Sequence, residues 1–451
     1  MNANTKSVRQ RPGLICSLGG FVILLLVDVS AYAQDADSWL GLGLSGTYTD
    51  NIDRLEEGGR DEAIWSAFTE FEIAKDGRRY DLLLDGLLDY RIYSNDTADD
   101  EFRGNAFGEL IFDVVNERLQ WVVQDNFGQV RQNVALPDTP DNRENLNVFR
   151  TGPRFDFRLG QRNSIILQGF YQRTRFEDSL QNSEGVFGFL AFQREVSPRS
   201  NLSLNVAARR IEFDEDSTFS SYDLQEAYFG WESIGARTRV DIEAGYTELH
   251  DIGDVQDGHL FRLFLTRNIS QRSALTLDLR SELTTTEDTF RFEQQLRRPD
   301  LTTQAIAADA EPFRFEYAGL AWATGGNRLW LDAEAFFESR EFTITSANDR
   351  DRAGLRLELT RQFSENVALG IFGTVTEESF DDPANDFDEN TVGLRMDYRP
   401  SRRTRLTLVL ERIDRDTDVE NLAFTEQIAT LTFTFDVFGQ RDLRQDRRLD
   451  R

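Results

Sequence analysis

The chain has 451 residues, a formal charge of -28, 35 phenylalanines against nine prolines and two methionines, and one cysteine. Such acidity repels nucleic acid and argues against it as a partner, while the Phe-rich, Pro-poor composition suits strands better than helices or disorder. The mean hydropathy of -0.49 reads as that of a soluble chain, but membrane barrels read the same way because their apolar residues are interleaved with polar ones.

Taken from the N-terminus, Lys6, Arg9 and Arg11 form a basic region, and Leu14 to Val27 is apolar until Asp28. That run stops short of the roughly 20 residues of a helical span. Ala31-Tyr32-Ala33 supplies a small-x-small cleavage pattern, so residues 1–33 are expected to be a secretory signal and Gln34 the mature N-terminus. Cys16 comes after Ile15 rather than a small residue, which argues against a lipid anchor, and the chain beyond the signal contains no thiol.

From Trp39 onward the sequence alternates. Between Arg79 and Arg91, Tyr80, Leu82, Leu84, Leu88 and Tyr90 are apolar, whereas Arg79, Asp81, Asp85, Asp89 and Arg91 are charged. A period of two over a dozen residues is a strand with two unlike faces, and aromatics at both ends of the apolar face suit the two lipid–water boundaries. Similar faces recur: Leu202, Leu204, Val206 and Ala208 oppose Ser203, Asn205 and Arg209. Val240, Ile242, Ala244 and Tyr246 oppose Arg239, Asp241, Glu243 and Thr247. Leu275, Leu277 and Leu279 oppose Thr276, Asp278 and Arg280, and Leu355, Leu357 and Leu359 oppose Arg356, Glu358 and Thr360.

Tight Gly/Asn/Ser/Pro connections are expected at 75–78, 116–118, 160–163, 197–200, 233–235, 270–273, 325–327, 364–366 and 400–403. Longer acidic loops are expected between them, at 94–102, 132–148, 214–220, 250–258, 286–311, 346–352, 377–390 and 414–421. About twenty strands (18–20) result, and the fold class is all-β: a single up-and-down antiparallel transmembrane barrel over 34–438. Spanning strands need about 9–11 residues, against about 5–6 in ordinary globular sheets. A soluble β-sandwich or propeller is the rival architecture. Short turns should face the periplasm and long loops the exterior. The segment Ile428 to Phe438 resembles the aromatic-rich closing strand of outer-membrane barrels, except that a charged tail, 439–451, comes after it.

A charge facing lipid at mid-membrane costs about 2–4 kcal/mol, so the charged faces should line the lumen. The candidate lining residues are Arg91, Asp85, Asp89, Arg239, Asp241, Glu243, Asp278, Arg280, Arg356 and Glu358, with Arg237, Asp81 and Asp332 of the same kind. Loop 286–311 is the longest and carries Phe290, Phe292, Leu296, Leu301 and Ile306, which would be costly to leave in water. An inward fold would bury them and make Arg291, Arg297 and Arg298 the candidate constriction; a mobile external loop is the alternative.

No catalytic chemistry is expected. The two histidines, His250 and His259, bracket one polar segment, and no nucleophile elbow, metal-binding His pair or phosphate loop occurs. Asp381 to Asp388 is rich in oxygen ligands but lacks the glycine and spacing of an EF-hand, so neither a metal nor a cofactor is expected.

The first strand ends Tyr48-Thr49-Asp50-Asn51-Ile52. A Tyr-x-Asp-Asn at this place resembles the start of a family of β-barrel porins associated with exopolysaccharide clusters and exosortase-type sorting systems. The resemblance implies an outer-membrane channel working in exopolysaccharide export or secretion, with polysaccharide and periplasmic export components as partners. A general diffusion porin and a structural or assembly barrel without an open pore are the alternatives. The barrel reading itself implies outer-membrane lipid, lipopolysaccharide and the barrel-assembly machinery as partners.

Overall fold

The computed structural model describes residues 38–439 apart from 117, 216, 218, 252–253, 296–309, 344–347 and 420–421. The expected signal segment and the tail beyond Gly439 lie outside the described residues.

Twenty strands succeed one another along the chain: β1 (Trp39–Thr49), β2 (Glu62–Asp76), β3 (Tyr80–Tyr93), β4 (Glu101–Val115) and β5 (Leu119–Arg131). Next come β6 (Arg143–Arg158), β7 (Asn163–Phe176), β8 (Ser183–Ser197), β9 (Ser200–Phe213) and β10 (Tyr222–Ile234). The second half holds β11 (Thr238–Asp251), β12 (Asp254–Ser270), β13 (Ser273–Thr284), β14 (Phe313–Gly325) and β15 (Leu329–Phe342). It ends with β16 (Arg350–Ser364), β17 (Val367–Phe380), β18 (Phe387–Ser401), β19 (Thr404–Asp416) and β20 (Phe424–Phe438). Each strand pairs antiparallel with the next, and β1 pairs with β20, so the sheet closes as a 20-stranded barrel without open edges.

The nine expected tight connections all lie at one end of the barrel. At the other end several loops are shorter than the sequence suggests, whereas 214–220 and 286–311 are connections of the expected length. The segment 250–258 is the clearest correction. It reads as a loop because it is dense in Asp and Gly, yet β11 and β12 run through it, pairing Leu249 with Gln256 and Tyr246 with His259. Polar residues occupy both faces there because the hairpin is paired beyond its apolar stretch. The same extension takes residues 143–148, 350–352 and 387–390 into β6, β16 and β18.

Outward-facing side chains form an apolar band, with Leu204, Val206, Leu355, Leu357, Leu359 and Leu431 all exposed. Exposed aromatics flank it. Tyr48, Trp65, Tyr90, Tyr171 and Tyr246 stand toward the long loops, and Phe112, Trp121, Phe157, Trp322 and Tyr398 toward the short turns. An apolar band between two aromatic girdles is an exterior matched to lipid.

Candidate functional site: a half-filled lumen

The short-turn half of the barrel is hollow. A cavity of about 3570 Å³ runs through it, reaching the turns at Gly235, Gln271 and Gly326 and extending along β3–β6 toward the long loops at Arg91, Arg103, Arg131 and Arg143. All ten candidate lining residues border it, together with Arg237, Asp332 and Arg291; Asp81 is not among its lining residues. Arg297 and Arg298 lie outside the described residues. Although the chain is strongly acidic, the lining is balanced, with fifteen carboxylates and sixteen arginines. All but two of the 51 basic residues of the chain are arginine, the residue whose planar fork suits carboxylates.

Many of these charges pair along a single strand, since residues two apart share a face. Arg91 bonds Asp89 at 2.7 Å, Arg280 bonds Asp278 at 2.7 Å and Arg395 bonds Asp397 at 3.0 Å, while Arg356 lies 4.0 Å from Glu358. Arg262 of β12 crosses strands, bonding Glu243 at 2.8 Å and contacting Glu282. The carboxylates of these pairs are largely buried, so desolvation offsets much of the attraction, and the consequence of the pairs is a lumen with alternating local fields. The alternation rule passes over Arg262 because Leu260, Phe261, Leu263, Phe264 and Leu265 surround it and hide the period.

Several lumenal aromatics lie flat against the wall, each over a glycine on the paired strand. Phe68 is paired with Gly43, Tyr228 with Gly245, Phe336 with Gly354 and Phe372 with Gly393. A Cβ at Gly43 would stand 2.0 Å from the Phe68 ring and one at Gly393 2.1 Å from Phe372. Only glycine permits this approach, and the rings remain on the wall instead of crossing the lumen.

The rest of the long-loop half is filled. Leu146, Val148, Leu224, Leu249, Leu260 and Phe313 are on inward faces there, and none is more than 2 % exposed. Leu224 and Leu249 pack with Ile211, Tyr222 and Leu283 of neighbouring strands, and two loops fold inward over other parts of this end. The β13–β14 connection turns inward as helix α1 (Thr286–Gln295), started by the Thr285 hydroxyl, which accepts from the Asp288 amide at 3.3 Å. Phe290 is fully buried among Val130, Leu146, Val148 and Phe176 of β5, β6 and β7. The helix therefore crosses from the β13–β14 wall to the β5–β7 wall. Burying such a ring stabilises the docked position by about 1.5–3 kcal/mol. Asp288 then meets Arg150 of β6 at 2.7 Å and contacts Arg209 of β9, while Arg291 donates to Gln124 of β5 at 2.9 Å. Phe292, Leu296, Leu301 and Ile306 have no described side chains.

The β5–β6 connection crosses the other way. Val134 and Ala135 pack on Phe380 of β17 and Phe387 of β18, and Arg415 of β19 donates to the Ala135 carbonyl. Asn142 ties this loop to itself, donating to the carbonyls of Asn133 (2.7 Å) and Pro137 (3.0 Å). Arg143 clamps Asp138 with its Nη2 at 2.6 Å from Oδ2. Burial opposes the Asp138 charge, but the Arg143 guanidinium outweighs it and holds the carboxyl well below the usual range.

The remaining candidates have other places. His250 contacts Glu248 of its own strand at 2.8 Å, and His259 is exposed on β12. In 381–388, Asp382 caps a short 3-10 turn through the Ala384 amide, and Asp386 accepts from the Phe380 amide at 2.7 Å. The motif 48–52 sits on the barrel seam. Thr49 donates to Glu426 at 2.6 Å, the Gln427 amide donates to Asp50 at 2.7 Å, and Asn51 donates to the carbonyls of Thr425 (3.0 Å) and Leu55 (2.7 Å). The bonds to Thr425, Glu426 and Gln427 fasten the end of β1 to β20.

No protein-family model and no curated protein sequence matches the chain. Solved structures do. The unliganded ferric citrate transporter FecA is 9% identical, over 89% of this chain and 79% of that one, with a TM-score of 0.44. A mutant of the ferric enterobactin receptor PfeA from Pseudomonas aeruginosa is 10% identical over 89% and 81%, with a TM-score of 0.48. OccK2 from the same organism is 10% identical over 90% and 99%, with a TM-score of 0.40.

Proposed function

We propose that this chain is an outer-membrane channel carrying a hydroxyl-rich solute outward, a polysaccharide or its fragments, through a mouth that its own loops close. The observation that carries this reading is the asymmetry of the lumen: a hollow, charged vestibule open to the short turns beneath a ceiling of inward-folded loops. With the short turns in the periplasm, the vestibule receives solute from the side on which an exported polymer arrives. Arginine–carboxylate pairs offer partners for sugar hydroxyls, and the flattened rings of Tyr228 and Phe336 offer faces for sugar rings. Exopolysaccharide as the cargo is supported by the resemblance around Tyr48 to Ile52.

Planar-bilayer recording tests the channel. Deleting Phe290–Ala308 should raise single-channel conductance several-fold over the intact barrel, and unchanged conductance in a correctly folded deletion would contradict the reading. A tag inserted at Pro383 should be labelled on intact cells and one at Gly77 should not. Disrupting the gene should deplete surface polysaccharide.

The filled mouth favours one other reading, a structural or assembly barrel with no open state. It predicts no conductance from the intact protein under any condition, with current appearing only when the loops are removed.

A further inference from the structure

The ceiling of the vestibule holds an arrangement that neither barrel closure nor loop docking requires. Asp288 presents its two oxygens to two different walls: Oδ1 accepts from Arg150 of β6 at 2.7 Å, and Oδ2 contacts Arg209 of β9. Arg291, one turn along α1, lies 3.5 Å from the same carboxylate. The Arg150 and Arg209 side chains are 10% and 9% exposed, and all four residues border the cavity. Three guanidiniums thus converge on the Asp288 carboxylate, so cations outnumber anions in direct contact, with the buried Glu287 carboxylate acting on Arg150 and Arg209 from beside it. Donor capacity is in excess as well: Nε of Arg209 and Nε of Arg291 are buried with no hydrogen-bond partner among the described residues, a costly state for a charged group.

Arg150 and Arg291 have anchors besides Asp288, and Arg209 lies 6.0 Å over the Phe187 ring. Gln172 accepts from Arg150 Nε, Gln124 accepts from Arg291, and Arg150 stacks 4.2 Å above the Phe187 ring. Phe187 is paired with Phe170 across β7 and β8, and Phe170, Phe189 and Gln168 border the cavity beside it. A preformed arginine fork above an aromatic shelf remains when the Asp288 carboxylate is subtracted.

We propose that Arg150, Arg209 and Arg291 form a binding site for the carboxylate of an acidic saccharide, and that Asp288 of α1 occupies it as an internal stand-in. A carboxylate fits because the present occupant is one, with each oxygen on its own guanidinium. A sugar ring fits because the shelf beneath the arginines is aromatic and ends in the Gln168 amide. The proposal deepens the channel reading and rests on it: a ligand arriving from the vestibule displaces the Asp288 side chain from Arg150 and Arg209, while Phe290 keeps α1, and Arg291 with it, docked.

Calorimetric titration of the folded full chain in detergent tests it with D-glucuronate, D-glucose and inorganic phosphate at matched ionic strength. Asp288→Asn should tighten glucuronate binding about tenfold, the scale of one charged hydrogen bond. Arg150→Gln with Arg209→Gln should abolish glucuronate binding, and glucose should respond to neither change. Heat-modifiability on gels verifies folding, with Arg209→Gln alone as the substitute should the double variant fail to fold. No gain in Asp288→Asn, or equal gains for glucose or phosphate, would overturn the proposal. Bilayer conductance reads the channel separately: tightened binding without conductance would remove the channel reading and leave the site standing.

Discussion

The long-loop and short-turn halves of this barrel are built on the same twenty strands with the same alternation of faces. They differ in what the inward face carries. Toward the loops it holds Leu146, Val148, Leu224, Leu249, Leu260 and Phe313; toward the turns it holds Thr276, Asp278, Ala321, Asp332, Thr407 and Thr432. Apolar inward positions need a cover: Phe290 of the β13–β14 loop covers Leu146 and Val148, Val134 and Ala135 of the β5–β6 loop cover Phe380 and Phe387, and Leu224 and Leu249 pack with Ile211, Tyr222 and Leu283. Small and charged inward positions need none, because water solvates them and paired arginines satisfy the carboxylates. A filled mouth and a hollow vestibule thus result from side-chain choice on one continuous sheet.

The largest effect should come from placing a charge in each half in turn. Leu249→Arg buries an unpaired guanidinium under the loops and should cost at least about 3 kcal/mol, whereas Thr432→Arg in the vestibule should leave the unfolding midpoint nearly unchanged. Equal costs would erase the distinction between the halves. On the outer face of the hollow half, Leu277→Arg should cost about 2–4 kcal/mol in a lipid-dependent refolding assay. Its neighbour Thr276→Arg points into the vestibule and should be tolerated; equal tolerance of the two would mean that the outer face is in water.

The smallest effect concerns pH and the loop that covers the β17–β19 wall. Asp138 is held below its usual range, so its contribution is complete above the unfolded-state value of about 4 and is lost only as pH falls through the depressed value. Hydrogen exchange in residues 132–142 should therefore show the same protection factors from about pH 5 to 8, and Asp138→Asn should lower them throughout that window. A protection step near pH 6 would assign the tether to another group.

Much of the barrel is legible in the sequence because a period of two sustained along a whole segment is the mark of a strand with unlike faces, and because tight turns announce themselves through Gly, Asn, Ser and Pro. The loops are less legible: Asp251 to Asp257 looks like solvated loop chemistry, but strands that continue past an apolar band keep pairing without keeping the alternation. Ten of the charged residues that border the cavity can be named from sequence since a lipid face cannot hold them. Arg262 is hidden by its apolar neighbours. Arg150 and Asp288 cannot be grouped in advance, because their meeting depends on α1 crossing the lumen, and no local pattern encodes which wall Phe290 reaches. Tyr48 to Ile52 is conspicuous as a motif, and its place at the β1–β20 seam emerges only with the strand register.

If loops fill one half of the lumen and leave the other open, a small thiol reagent should reach the two halves at very different rates. In a Cys16→Ser background the protein has no other thiol, so single cysteines at Thr432 and Val148 report the two halves with a water-soluble methanethiosulfonate. Thr432→Cys should label rapidly and Val148→Cys should be protected, with that protection lost when Phe290–Ala308 is deleted. Rapid labelling of both positions in the intact barrel, or of neither, would contradict the division of the lumen into a filled mouth and an open vestibule.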